Sequence, residues 1–186
     1  MEYKKCNWME KVCEWPMSES TDPMDRVYLT EAYKYARDKS QDPVTQVGCV
    51  LVSPSEGVVT YATNTFTHGI NPVPSMFERP EKYEYFEHAE RNAIYRCALK
   101  GFSTAGLYMY CPWWCCAECA RGIVQSGISK FVGHHLMYEL ATNRWKESID
   151  RGLELMTAAG IDVVNWDGRI ERKDIKVVFD GETIIP

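Results

Sequence analysis

The chain lacks any run of about 18 apolar residues, so no segment reads as a membrane span. It also lacks positive charge: 21 Lys and Arg stand against 26 Asp and Glu, a net charge of −5. Proteins that hold a nucleic-acid polymer carry a basic footprint, and this balance argues against a DNA or RNA strand as partner. There is no internal repeat and no low-complexity tract. No apolar signal segment opens the N-terminus. The eight cysteines are therefore expected as reduced thiols in a cytoplasmic protein rather than as a disulfide framework. Histidine is scarce, at four residues.

What is present is ordinary globular material. The 186 residues are 45% hydrophobic and 25% charged, enough for one domain with a proper core. Residues 1–24 read as a leader, with a Trp-containing segment from Cys6 to Trp15 and a polar turn from Ser18 to Pro23. Residues 25–165 read as the main domain and 166–186 as a C-terminal extension. Leu29, Ala32, Tyr33 and Ala36 recur at helical spacing and predict a helix over 25–39. Residues 47–52 and 57–63 predict a buried strand and its hairpin partner. A long proline-bearing loop covers 64–85, and a loop of that length is usually functional or disordered. Helices are expected at 87–100, 117–126 and 143–159, each stopped by the Gly that follows. Strands are expected at 106–110, 129–133 and 161–164. Residues 175–179 and 182–185 around Asp180-Gly181 predict a hairpin. Strands alternating with helices predict an α/β fold, a three-layer α/β/α sandwich on a mixed central sheet of about five strands.

Residues 88–90 read His-Ala-Glu, and Cys116-Ala-Glu-Cys119 begins 26 positions after Glu90. Zinc takes nitrogen and sulfur ligands, and a catalytic site uses three and leaves the fourth position to water. His88, Cys116 and Cys119 supply three. Bound zinc lowers the pKa of its water from 15.7 to about 7, while Glu90 is left to move protons. A Cys-x-x-Cys pair can also be a structural half-site or a redox pair. A structural site wants a fourth ligand at similar spacing, yet no second Cys-x-x-Cys and no His-x₃₋₅-His occurs, His134 and His135 being adjacent. Both motifs open predicted helices. Helix N-termini favour anions and lower thiol pKa values.

The pattern resembles the zinc-deaminase signature. The runs Arg79-Pro-Glu-Lys-Tyr83, His88-Ala-Glu-Arg-Asn-Ala-Ile94, Ala117-Glu-Cys-Ala120 and Ile123-Val-Gln-Ser-Gly-Ile128 are similar to the deoxycytidylate (dCMP) deaminase family, within the cytidine-deaminase-like superfamily. Residues 46–52 resemble that family's first strand. Two departures stand out. Cys115 occupies the place of a proline before the first zinc cysteine. The family loop Gly-Tyr-Asn-Gly-x-Pro-x-Gly becomes Ala62-Thr-Asn-Thr-Phe-Thr-His-Gly69.

The resemblance implies a Zn2+ enzyme that hydrolyses dCMP to dUMP and ammonia in deoxynucleotide metabolism. A 5-substituted dCMP remains open as substrate. So do a nucleoside, nucleobase or tRNA deaminase and a non-catalytic zinc module as alternatives. In the family's terms Glu90 is the proton carrier, Asn64 meets the sugar, and backbone groups of Ala89 hold the pyrimidine. Trp113 or Trp114 would wall the base by stacking, and either would serve equally as core. The phosphate needs cations; Arg79 and Lys82 are the candidates, against the alternative of solvated surface. A homo-oligomer, a hexamer by resemblance, is expected. Loss of Gly and Pro at Thr65 and Thr67 predicts that dCTP/dTTP control is weakened or absent.

Overall fold

The computed structural model describes residues 17–141 and 143–186, with nothing described for the side chain at 143. The Trp-containing part of the leader lies outside these residues. Ser18–Glu19 is a short strand (β1), where the sequence suggested only a turn. It adds in parallel to the far edge of the sheet, opposite residues 164–165.

Asp22 caps the first helix by accepting the Met24 N–H, and Pro23 fills the first helical position, where no N–H is needed. This helix, α1, runs Pro23–Lys39 and buries the predicted stripe of Leu29, Ala32, Tyr33 and Ala36. Gly48–Ser53 (β2) and Gly57–Thr63 (β3) form the expected hairpin. Gly48 lets β2 approach α1: a Cβ there would lie 2.0 Å from the Ala32 carbonyl oxygen.

The loop after β3 is more ordered than its composition suggested. Thr65–Phe66 (β4) pairs antiparallel with Phe86–Glu87 (β5), with a 3-10 turn at Pro74–Phe77 and a one-turn helix, Lys82–Tyr85 (α2), between them. Phe66, Phe77 and Phe86 close this lobe, with ring centroids 4.1 Å apart for Phe66–Phe86 and 4.9 Å for Phe66–Phe77. Three aromatic rings supply an apolar cluster that proline- and glycine-based turn reading does not detect.

The remaining elements are Ala89–Lys100 (α3), Tyr108–Tyr110 (β6), Ala117–Gln125 (α4), Lys130–His134 (β7), His135–Glu139 (α5), Asn143–Ala158 (α6), Asp162–Trp166 (β8), and the hairpin Val177–Phe179 (β9) with Glu182–Ile184 (β10). The one-turn α5 was not expected. The central sheet has six strands in the order β1-β8-β7-β6-β2-β3. It is mixed as predicted: β3, β2 and β6 are antiparallel, whereas β6, β7, β8 and β1 run parallel. The sixth strand is β1.

α3 packs on β2 and β3, and α4 packs between α3 and α6. Gly152 on α6 permits close approach to the start of α4, since a Cβ there would lie 2.5 Å from the Cys115 carbonyl oxygen. The Ser148 hydroxyl on α6 accepts the Ala117 N–H at 3.1 Å, satisfying one of the free donors that open α4. Among the described residues no helix is long and apolar enough to cross a membrane.

Candidate active site

Two helix N-termini meet at one point. His88 is the N-cap residue of α3 and Cys116 that of α4. His88 Nδ1 stands 3.7 Å from Cys116 Sγ and 3.5 Å from Cys119 Sγ. The ligand atoms of His88, Cys116 and Cys119 all lie within 4.8 Å of one another. Side chains so close make a pre-formed donor cradle, and the positive ends of two helix dipoles favour the thiolate form of its cysteines.

Cys115 lies outside it. Its Sγ points to Met156 Sδ at 3.7 Å, inside the core, so it is Cys116 and not Cys115 that joins His88 and Cys119. The Cys119 thiol hydrogen-bonds Cys116, and this first, with His88, holds the Cys116 thiol down to about 3 against the opposing effect of burial. The same hydrogen bond, joined by burial, pushes Cys119 well above the usual thiol range. Burial works to lower the His88 pKa, but its hydrogen bond to Cys116 and the charges of Glu90 and Cys116 leave it raised. Arg91 braces the rim of the cradle, its Nε donating to Glu87 at 2.8 Å and its Nη1 reaching Cys119 Sγ at 3.5 Å.

Glu90 sits one residue into α3 and is 1% exposed. Burial raises its carboxyl pKa above the ordinary value. Its Oε1 is buried with no hydrogen-bond partner among the described groups. An orphaned carboxylate oxygen is costly unless something is meant to face it. Three soft or borderline donors and one unsatisfied carboxylate fit a zinc ion with an open coordination position.

The cradle opens into a cleft lined by Asp42, Thr45, Val47, Asn64, Arg79, Lys82, Tyr83, Phe86, His88, Glu90, Trp113, Cys116 and Trp145. Asn64 ends β3 and ties that strand to the site. Its Oδ1 accepts the Ala89 N–H at 2.9 Å and its Nδ2 donates to the Thr45 carbonyl at 3.0 Å. The Ala89 N–H, expected to face a pyrimidine, is therefore engaged by Asn64. Arg79 and Lys82 both line the cleft, and neither is freely solvated. Arg79 Nη2 donates to Asp180 at 2.7 Å, and Lys82 forms a buried ion pair with Asp42 at 2.6 Å.

Trp114 corrects the sequence reading. It is fully buried away from the cleft, its Nε1 donating to the His134 carbonyl at 3.0 Å and its ring packed on Phe131 and Tyr138. Trp113 faces the cleft instead. Adjacent residues in non-helical backbone tend to point to opposite sides, and sequence adjacency could not choose between them. Trp145 on α6 was missed altogether. Its ring meets His88 nearly edge-on at 6.0 Å, from a helix 57 residues away in sequence with no motif to mark it.

A His/Cys/Cys cluster beside a buried glutamate is the donor set of the zinc-deaminase signature. The chain belongs to the family described as the cytidine and deoxycytidylate deaminase zinc-binding region, which residues 23–135 match. An uncharacterized deaminase in the luxG 3' region of Aliivibrio fischeri is 32% identical over 126 residues, which are 67% of this chain and 81% of that protein. A probable deoxycytidylate deaminase of Caenorhabditis elegans is 33% identical over 118 residues, 60% of this chain and 58% of that protein, so the chain spans little more than half its length. The dCMP deaminase of cyanophage S-TIM5, solved in complex with dCMP and dUMP, superposes with a TM-score of 0.62 at 19% identity, covering 78% of this chain and 99% of that one. At that identity the likeness establishes the fold. The resemblance read from residues 79–128 is thus borne out at the level of the family.

Proposed function

We propose that the chain deaminates dCMP, converting dCMP and water to dUMP and ammonia. The observation that supports this most directly is the buried Glu90 carboxylate, unpartnered at Oε1, beside the His88–Cys116–Cys119 cradle. His88, Cys116 and Cys119 would hold Zn2+, which when bound supplies an acidified water as nucleophile. Glu90 accepts a proton from the water that adds to carbon 4 of the ring and delivers it to ring nitrogen 3. It then takes the second water proton from the hydroxyl now on carbon 4 and gives it to the departing amine, so that ammonia leaves as the carbon 4 carbonyl of dUMP forms. Positioned proton transfer of this kind contributes about 10²–10⁴-fold.

Asn64 fixes the N-terminus of α3, and with it the direction of Glu90, while keeping an N–H for the sugar. Trp113 and Trp145 exclude water and flank the base. Arg79 at the mouth of the cleft favours a phosphate-bearing substrate, and the names of the relatives point the same way. Assembly into a homo-oligomer and a cytoplasmic location belong to the same reading.

The test is ammonia release from dCMP, 5-methyl-dCMP, 5-hydroxymethyl-dCMP, deoxycytidine, cytosine and an RNA hairpin. dCMP or a 5-substituted dCMP is expected to lead by kcat/KM. Faster turnover of deoxycytidine or the hairpin would overturn the reading, and zinc binding without ammonia release from any of them would leave a non-catalytic module.

A further inference from the structure

The hairpin β9–β10 lies outside residues 23–135, the span matched to the family, yet it reaches the rim of the cleft. Its docking is specific. The Gln46 N–H donates to the Val178 carbonyl at 2.7 Å, the Val178 N–H returns to Gln46 Oε1 at 2.9 Å, and the Gly181 N–H donates to the Val44 carbonyl at 2.9 Å. Phe179 packs on the cleft-lining Trp113 with ring centroids 4.0 Å apart. The turn is made by Asp180 at φ 47° and Gly181 at φ 90°, the left-handed pair that a tight hairpin requires. Together these contacts fix the place of one side chain, Asp180.

Asp180 Oδ1 accepts from two guanidiniums, Arg79 Nη2 at 2.7 Å and Arg144 Nη2 at 3.3 Å. Arg79 lines the cleft and its side chain is 39% exposed, against 1% for Glu90. Arg79 is thus at the rim and Glu90 at the floor. The Arg144 guanidinium lies 5.3 Å from the Trp145 ring centroid, and Trp145 also lines the cleft. Two cations on one carboxylate leave a positive charge over. Each guanidinium has five N–H donors in a rigid fork, so donors remain for a second anion.

Lys82, the other cation at the cleft, contrasts with this. It is paired one-to-one with Asp42, with side chains 6% and 4% exposed, and brings no surplus charge.

We propose that Asp180 is a positioning residue: it presets Arg79 and Arg144 as an anion clamp for the substrate's 5'-phosphate, so that the C-terminal hairpin sets the preference for a deoxynucleoside monophosphate over a nucleoside. The proposal rests on the dCMP reading above. Preorganising the two side chains removes the ordering cost that a mobile arginine meets when it binds. A carboxylate that only neutralised the rim would act oppositely, and its removal would tighten phosphate binding.

Calorimetric titration of the zinc-loaded protein with dUMP and with deoxyuridine tests this without turnover. Asp180→Asn keeps the volume and removes the charge. It is expected to weaken dUMP about tenfold, the loss of roughly one charge-assisted contact, and to spare deoxyuridine. Arg79→Ala, which changes no hairpin residue and leaves Asp180 its contact with Arg144, is expected to weaken dUMP more, about a hundredfold. It carries the test on the same two ligands should Asp180→Asn fail to fold. Unchanged or tighter dUMP binding in Asp180→Asn overturns the proposal, and so does equal weakening of both ligands, which would mark a merely structural hairpin. A wild-type protein that binds dUMP no better than deoxyuridine removes the dCMP reading itself. One that prefers dUMP, with the preference intact in Asp180→Asn, removes only the role of Asp180.

Discussion

The floor and the rim of the cleft are built in different ways. The floor is two helix starts: His88 and Glu90 at α3, Cys116 and Cys119 at α4, each pair within four residues. The rim is assembled from a loop (Arg79), a one-turn helix (Lys82), a long helix (Trp145) and a C-terminal hairpin (Asp180). Where the chemistry is demanding, the chain places its groups by local geometry that a helix enforces. On the reading proposed above, the groups that select the substrate come from segments distant in sequence. Changes at the floor should therefore abolish activity and changes at the rim should grade it.

The largest effects test the floor. Cys116→Ala or Cys119→Ala is expected to lose the metal, since two ligands cannot hold what three do, and with it all turnover. Glu90→Gln keeps volume and should retain zinc at the wild-type ratio while kcat falls by at least about 10²-fold. Zinc by mass spectrometry alongside ammonia release separates the two. A zinc-replete Glu90→Gln enzyme with normal kcat would take Glu90 out of the reaction. Cys115→Ala makes the contrast within one dipeptide: it should keep zinc and most activity and lose on the order of 1 kcal/mol of stability from the contact with Met156.

The same division explains what could be read from the sequence. Helix and strand positions were legible because periodicity and glycine stops are local; β3 and the span of α4 came out nearly as expected. The clustering of His88, Cys116 and Cys119 was legible because each of the two motifs that carry them is local too. The rim was not. Arg79 and Lys82 could be named only as nearby cations, and their partners Asp180 and Asp42 lie 101 and 40 residues away. Nothing in the sequence connects Trp145 to His88. The choice between Trp113 and Trp114 depends on side-chain direction in irregular backbone, which no period governs.

Those two tryptophans give a prediction of intermediate size. Trp113→Ala should raise KM for dCMP several-fold, about 1 kcal/mol for one lost wall of the pocket, with little change in kcat. Trp114→Phe should leave KM near wild type and instead lower thermal stability, by about 1–3 kcal/mol, because the His134 carbonyl loses its buried donor. Steady-state kinetics and thermal denaturation on the pair decide it. A KM effect at Trp114 with none at Trp113 would reverse the assignment of the cleft wall.

The smallest expected effect concerns regulation at the loop after β3. In the family pattern that resembles residues 62–69, Gly and Pro stand where this chain has Thr65 and Thr67. Both threonines line a surface cavity beside His68 and Arg96, and both are also tied into the fold. Thr65 Oγ1 accepts from Asn92 Nδ2 at 2.9 Å, and Thr67 gives both its N–H and its hydroxyl to the Tyr85 carbonyl, at 2.9 and 3.0 Å. These bonds, with the β4–β5 ladder, commit the loop to bracing the approach to His88. A Cβ at residue 65 also fills space through which a glycine backbone would let a phosphate approach. Effector coupling of the usual size changes affinity about 5–150-fold; here dCTP and dTTP are expected to change the initial rate by less than about twofold, a residue of the usual coupling, with a hyperbolic dependence on dCMP. A sigmoidal curve that dCTP makes hyperbolic would show that the threonines rebuild an effector site, and that this loop belongs with the adjustable rim rather than the fixed floor.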